Sequence, residues 1–185
     1  MLRVAIDGPG GTGKSTIAKA VAARFGLEYI DTGAMYRAMA VYFLDNKIDT
    51  DDESKISDAC NGVSIKIAYE NNAQQVILNG ENITGRLRTE EVGNTASKTA
   101  VYAAVRKKLV ELQQELALTT DVVMDGRDIG TCVLPNATCK IYLTASVETR
   151  AERRYKELTE KGVDADIEEI KKDIADRDYR DMNRD

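Results

Sequence analysis

Apolar residues change their spacing several times along this chain, and each change predicts a different element. Residues 2–6 form a short apolar segment, which predicts a buried strand of a parallel sheet. Over 14–25 the spacing turns helical. Ile17, Val21 and Phe25 recur every four residues with Ala18 and Ala22 beside them, and Gly26 follows as a helix stop. Residues 27–30 predict a second short strand, after which Asp31-Thr32-Gly33 turns into a helix carrying Met35, Met39, Tyr42 and Phe43 on one flank. The acidic run Asp49-Thr50-Asp51-Asp52 suits another helix entry.

Between residues 63 and 84 the period falls to two. Val63, Ile65, Ile67 and Tyr69 alternate with Ser64, Lys66 and Ala68; Asn71-Asn72 reads as a turn, Val76-Ile77-Leu78 as a returning strand and Asn79-Gly80 as a hairpin. Residues 95–118 then predict one long helix with Val101, Val105, Leu109, Leu112 and Leu116 as its buried stripe. The runs at 122–124 and 141–143 predict central parallel strands, each followed by a turn and more helix. The succession β-loop-α, β-α, α-β, β-α predicts an α/β fold, a doubly wound parallel sheet with a small inserted antiparallel β subdomain. Its active site is expected at the carboxyl ends of the strands.

Composition narrows the function classes. At 185 residues with 43% hydrophobic content the chain can bury a full core as one domain. A net charge of −5 provides no global field to hold a nucleic acid, and no apolar run reaches membrane-spanning length. Cys60, Cys132 and Cys139 form no C-x-x-C pair and are odd in number, which suits a reducing compartment; cytoplasm is the expected location. Histidine is absent, so His triads, His bases and His-ligated metals are excluded. Any chemistry falls to carboxylates, Lys, Arg and Mg²⁺.

The segment Gly8-Pro9-Gly10-Gly11-Thr12-Gly13-Lys14-Ser15, directly after the first strand, completes G-x(4)-G-K-S. Such a loop turns backbone N–H groups onto a phosphate, with Lys14 as a mobile cation and the Ser15 hydroxyl as a ligand of Mg²⁺. Gly8, Gly10 and Gly13 also spell the G-x-G-x-x-G of dinucleotide folds, with Asp31 downstream, but Lys14-Ser15 favours a triphosphate with Mg²⁺. Asp125, in Asp125-Gly126-Arg127-Asp128, follows a strand and suits Mg²⁺ or its waters; the plainer reading is a turn acid capping the next helix. Arg150, Arg153 and Arg154 share one helix face that suits closing over a phosphoryl group, or a salt-bridged surface with Glu148, Glu152 and Glu157. Arg177, Asp181 and Arg184 share another face, which equally reads as a charged terminal helix. Asn46-Lys47-Ile48-Asp49 matches the N-K-x-D of GTP-dependent switches, yet it follows a helix rather than a late strand.

Together these segments resemble the bacterial-type cytidylate kinases, P-loop nucleoside monophosphate kinases. The resemblance is carried by the phosphate loop, Asp31-Thr32-Gly33-Ala34-Met35-Tyr36-Arg37, Arg88-Thr89-Glu90-Glu91-Val92, Asp125-Gly126-Arg127-Asp128-Ile129-Gly130, and Arg177-Asp178 with Asp181 and Asn183-Arg184. It implies a single kinase domain over 1–185 that transfers the γ-phosphoryl group of ATP to CMP and dCMP with Mg²⁺, as a monomer. Residues 31–95 would form the monophosphate-binding region with its β insert at 63–84, and 148–163 the lid. By this resemblance Gly8 to Thr16 and Arg153 bind ATP, with Lys14, Arg127, Asp128, Arg150 and Arg154 catalytic and Ser15 and Asp125 at the metal. Thr32, Arg37, Arg127 and Arg184 would grip the CMP phosphate; Ser97, Arg106 and Asp128 would read cytosine, and Arg177 with Asp181 the pentose. The family continues into a further strand and closing helix that this chain is expected to lack, leaving a sheet edge open. Another small-acceptor kinase, for adenylate, thymidylate or a metabolite alcohol, is the alternative within enzymes.

Overall fold

In the computed structural model, which describes residues 1–70 and 73–183, the chain runs β1 (Arg3–Asp7), α1 (Lys14–Phe25), β2 (Glu28–Asp31), α2 (Thr32–Asp45), α3 (Glu53–Cys60), β3 (Ile65–Glu70), β4 (Ala73–Leu78), β5 (Glu81–Asn82), α4 (Glu90–Thr99), α5 (Ala103–Leu116), β6 (Val122–Gly126), β7 (Cys139–Tyr142), α6 (Val147–Glu160) and α7 (Ile167–Met182). Four strands form a parallel sheet in the order β2-β6-β1-β7. Side-chain alternation splits its core in two. Val4, Ile6 and Val123 meet Ala18 and Ala22 of α1, whereas Ala5, Ile30, Val122 and Met124 join the larger cluster with α2, α3, α4 and α5. The sheet is therefore covered on both faces, as a parallel sheet requires.

Strands β3, β4 and β5 form the separate antiparallel sheet, with Asn79-Gly80 turning between β4 and β5 as expected. The Asn71-Asn72 turn lies outside the described residues. Asp31 caps α2 by accepting from the Ala34 N–H at 3.0 Å, and Asp52 caps α3. Both helix entries follow the acidic turns that announce them.

Three expectations need correction. The helix predicted over 95–118 is two helices, α4 and α5, broken at residues 100–102. A straight helix would set Val105 and Leu109 about 120° around the axis from Val92, Ala96 and Thr99. All five are buried in the same cluster or against it, so the helix must break to aim both stripes at one core. The Tyr102 hydroxyl pins the break by donating to the Thr50 carbonyl at 2.9 Å. On α1 the alanines, not the large residues, face the sheet: Ala18 is fully buried, while Ile17 is 40% and Phe25 65% exposed. The small side chains bring α1, and hence the phosphate loop, close to β1 and β6. Finally, among the described residues β7 stands at the edge of the sheet rather than at its centre, with Ile141 and Tyr142 exposed along the open edge expected above, and the helix after β6 is only one turn of π-helix, Ile129–Val133.

Candidate active site

Strands β1, β2 and β6 all lead into one cleft. The loop after β1 wraps its mouth, with Lys14 folded back so that Nζ donates to the Pro9 carbonyl at 2.6 Å. Burial, and then Arg127 nearby, pull the Lys14 pKa down to about 8, against Asp125, Asp181 and Asp7, which raise it. The loop is anchored from below. Asp7 accepts the Ile129 and Gly130 N–H groups, both at 2.8 Å, tying β1 to the turn after β6. Gly8 has φ +140° and lies so close to Leu143 that a Cβ there would meet its carbonyl oxygen at 1.9 Å. No other residue type fits that position.

Asp125, the penultimate residue of β6, lies beside Asp31 of β2, its partner in register. One carboxylate oxygen accepts from the Ser15 hydroxyl at 2.9 Å and the other from the Tyr29 hydroxyl at 2.8 Å. Asp125 therefore caps no helix. Burial, with the nearby charge of Asp31, pushes its carboxyl pKa up, while the two hydroxyls hold it down. A desolvated carboxylate next to a serine hydroxyl is an oxygen donor set of the kind Mg²⁺ takes, alongside phosphate oxygens and water. The residues fit the ion.

Across the cleft stand the arginines. Arg37 of α2 and Arg177 of α7 are pulled below their ordinary range chiefly by burial, and then by each other's neighbours: Arg88 and Arg127 act on Arg37, and Arg127 and Arg37 on Arg177. Arg177 Nε has no hydrogen-bond partner among the described residues. Most other cations of the cleft are held by carboxylates. Arg127 Nε donates to Asp181 at 2.7 Å, Arg106 to Asp128 at 2.9 Å, Arg88 to Asp31 at 3.3 Å and Arg154 to Glu157 at 3.0 Å. Arg150, buried on α6, forms a bidentate pair with Asp178 of α7 and also donates to the Gly10 carbonyl at 3.2 Å. Arg153 reaches the Gly11 carbonyl at 3.3 Å. The arginine face of α6 thus touches the phosphate loop directly, while Arg154 keeps its surface pair.

Of the expected residues, Gly10, Gly11, Gly13, Lys14, Ser15, Thr16, Thr32, Arg37, Ser97, Asp125, Arg127, Asp128, Arg150, Arg153, Arg154, Arg177 and Asp181 line the cleft, and Asp31, Arg88 and Glu157 join them. Of the residues expected there, Gly8, Pro9, Thr12 and Arg106 do not line it; the first three support the loop and Arg106 stands behind Asp128. The Thr32 hydroxyl donates inward to the Asp125 carbonyl at 2.7 Å, and Ser97 accepts from Arg180 at 3.3 Å. Arg184 lies outside the described residues. Sequence reasoning overlooked Asp7, Tyr29, Arg88 and Asp178, whereas the pairing of Glu157 with the arginine face of α6 is as expected. Arg88 stood within a motif but had no role assigned, and Asp7 was signalled only by being a buried acid before a glycine loop. Asn46-Lys47-Ile48-Asp49 sits at the far end of α2, one helix length of about 20 Å from Thr32.

The family model for cytidylate kinase matches residues 4–185. The chain is 48% identical over 184 residues to a cytidylate kinase of Streptococcus sanguinis, covering 99% of this chain and 82% of that protein. It is 46% identical over 184 residues to one from Lactobacillus gasseri, covering 100% and 80%, and 49% identical over 183 residues to one from Alkaliphilus oremlandii, covering 99% and 82%.

Proposed function

The chain belongs to the cytidylate kinase family and is an ATP-dependent phosphotransferase acting on CMP, and on that premise we propose how its own residues divide the work. Lys14 and the amides of residues 8–15 hold the triphosphate, while Arg37, Arg127 and Arg177 receive the acceptor phosphate and its sugar, with Arg184 completing the set. One observation carries this reading. Lys14, Arg37, Arg127 and Arg177 line one cleft, and Arg177 Nε there has no hydrogen-bond partner among the described residues, an arrangement that a second bound anion completes.

The CMP phosphate oxygen attacks the γ-phosphorus in line, and the bond to the β,γ-bridging oxygen breaks with its electrons leaving on ADP. The acceptor is already anionic, so no strong base is needed. Lys14, Arg150 and Arg153 neutralise charge that spreads onto the transferring oxygens; alignment and exclusion of water supply the rest. Arg150 takes part while tied to Asp178, and Arg154 by exchanging Glu157 for phosphate. Ser15 and Asp125 would hold Mg²⁺, which, when bound with ATP, would neutralise charge on the triphosphate.

Asp128, oriented by Arg106, accepts from the cytosine amino group, and Ser97 adds a hydroxyl contact. Uracil offers a carbonyl there, setting acceptor against acceptor at the Asp128 carboxylate, a loss of about 1–3 kcal/mol. The same contacts serve dCMP, with Asp181 and Arg177 on the pentose. Residues 31–95 act as the monophosphate-binding region and 148–163 as the lid. The protein works as a monomer in the cytoplasm without a nucleic-acid partner, in keeping with its net charge of −5 and its free cysteines. No helix among the described residues is long and apolar enough to cross a membrane.

Coupled ATP-consumption assays with CMP, dCMP, UMP and AMP side by side test the assignment. CMP and dCMP should be turned over with the highest kcat/KM. Preference for UMP or AMP, or GTP hydrolysis without any acceptor, would overturn it.

A further inference from the structure

The parallel sheet has an open side at β2, because β2 is the terminal strand in the order β2-β6-β1-β7. Glu28 and Ile30 turn their backbone groups toward β6, which leaves those of Tyr29 and Asp31 facing outward. Both are met by side chains of the inserted sheet. The Tyr69 hydroxyl donates to the Tyr29 carbonyl at 3.1 Å. The Gln74 amide treats Asp31 as a neighbouring strand would: its Oε1 accepts the Asp31 N–H at 2.8 Å and its Nε2 donates to the Asp31 carbonyl at 3.4 Å. Tyr69 and Gln74 are themselves directly opposite one another in the β3–β4 ladder.

We propose that this single rung, Tyr69 with Gln74, is a positioning element for the acceptor site, fixing the end of β2 from which that site is built. The two residues it grips lead to separate parts of the cleft. Asp31 caps α2, whose first turn presents Thr32 and whose second presents Arg37, and its other carboxylate oxygen holds Arg88. Tyr29 reaches Asp125 through its hydroxyl. The rung acts through these groups and lines no part of the phosphate cleft itself. Gln74 bears on the acceptor side because it holds Asp31 from both ends of the residue. Tyr69, which takes only a carbonyl, bears mainly on the Tyr29–Asp125 side.

The proposal rests on CMP being the acceptor, and the test separates the two. Gln74→Met keeps the length and packing of the side chain and removes both hydrogen bonds; Gln74→Glu keeps the acceptor for the Asp31 N–H but opposes its carbonyl. With Gln74→Met the KM for CMP should rise about fivefold, the worth of one net hydrogen bond, while the KM for ATP stays within about twofold. Calorimetric binding of CMP without ATP should weaken by the same factor, and the melting temperature should move little. Gln74→Glu should be no better than Gln74→Met. If the CMP and ATP constants rise together, or if CMP binding is unchanged in Gln74→Met while the wild-type protein phosphorylates CMP, the rung is merely structural and the proposal fails. A wild-type protein that does not phosphorylate CMP overturns the acceptor assignment first and this proposal with it.

Discussion

Replacing Gly8 with alanine confronts the loop with two separate costs that can be told apart. The first is conformational, since alanine must adopt φ +140°, a cost on the order of 1–3 kcal/mol. The second is steric. The new Cβ meets the Leu143 oxygen at 1.9 Å, and reaching the 3.0 Å floor of real Cβ contacts demands a relative shift of about 1.1 Å. Leu143 cannot swing away freely, because its N–H donates to the Asp7 carbonyl at 2.8 Å at the same junction. The displacement therefore passes to the loop and to Lys14. Misplacement of a positioning group by about 1 Å costs on the order of 100-fold in rate, so kcat/KM for ATP should fall by about that factor in Gly8→Ala. Gly26→Ala is the control: φ is +67°, nothing lies within 4 Å of the added Cβ, and the position caps α1 away from the cleft. It should lower the melting temperature by several degrees, about 2–4 °C per kcal/mol, with kcat/KM nearly unchanged. Steady-state kinetics and thermal unfolding on both variants decide the matter. A Gly8→Ala enzyme with wild-type kcat/KM for ATP, or one no more impaired than Gly26→Ala, would refute the steric argument.

Two other predictions follow from the site's electrostatics. Asp128→Ala should cut kcat/KM with CMP by about 10- to 100-fold and with UMP much less, since only cytosine donates to the carboxylate; equal losses on both acceptors would remove Asp128 from base recognition. In the free enzyme Lys14 loses its proton near pH 8, so kcat/KM for ATP should fall as pH rises through about 8, whereas kcat should persist to higher pH because bound triphosphate favours the protonated amine. A kcat/KM profile that stays flat well above pH 8 would rule this out. The sign for stability is opposite: with a folded pKa below the ordinary 10.5, the unfolded chain binds more protons between about 8 and 10.5, and Lys14 makes the fold more stable as pH rises across that window.

Legibility in the sequence tracked how local each signal was. The phosphate loop, the Asp31 cap, the Asp52 cap and the Asn79-Gly80 turn are specified within a few residues, and the structure has them where the spacing puts them. Elements whose environment is set by distant partners were harder. The apolar run of β7 by itself reads as a central strand, and only the resemblance to the family signals the open edge beside it. The faces of α1 were misjudged because size was taken as the signal, while close approach to the sheet selects Ala18 and Ala22. The break at residues 100–102 was readable, since Val92, Ala96 and Thr99 do not share a helical face with Val105 and Leu109, but the stripe of α5 was extended backward through Val101. In the site, residue types and order disclosed Lys14, Ser15, Asp125 and the arginines as a cluster. The partners that orient them, Asp7, Tyr29 and Asp178, are ordinary letters in the sequence and become visible only through hydrogen bonds spanning 28 to 123 positions.

The carboxylates seated against Arg88, Arg127, Arg150 and Arg154 give the cleft a built-in set of counter-ions. At Arg154 an arriving phosphate would trade places with an acid that is already present, and Glu157 stands ready to reclaim its arginine when product departs. Such exchange would lower the cost of parting from two highly charged products, since that arginine is not left without a counter-charge.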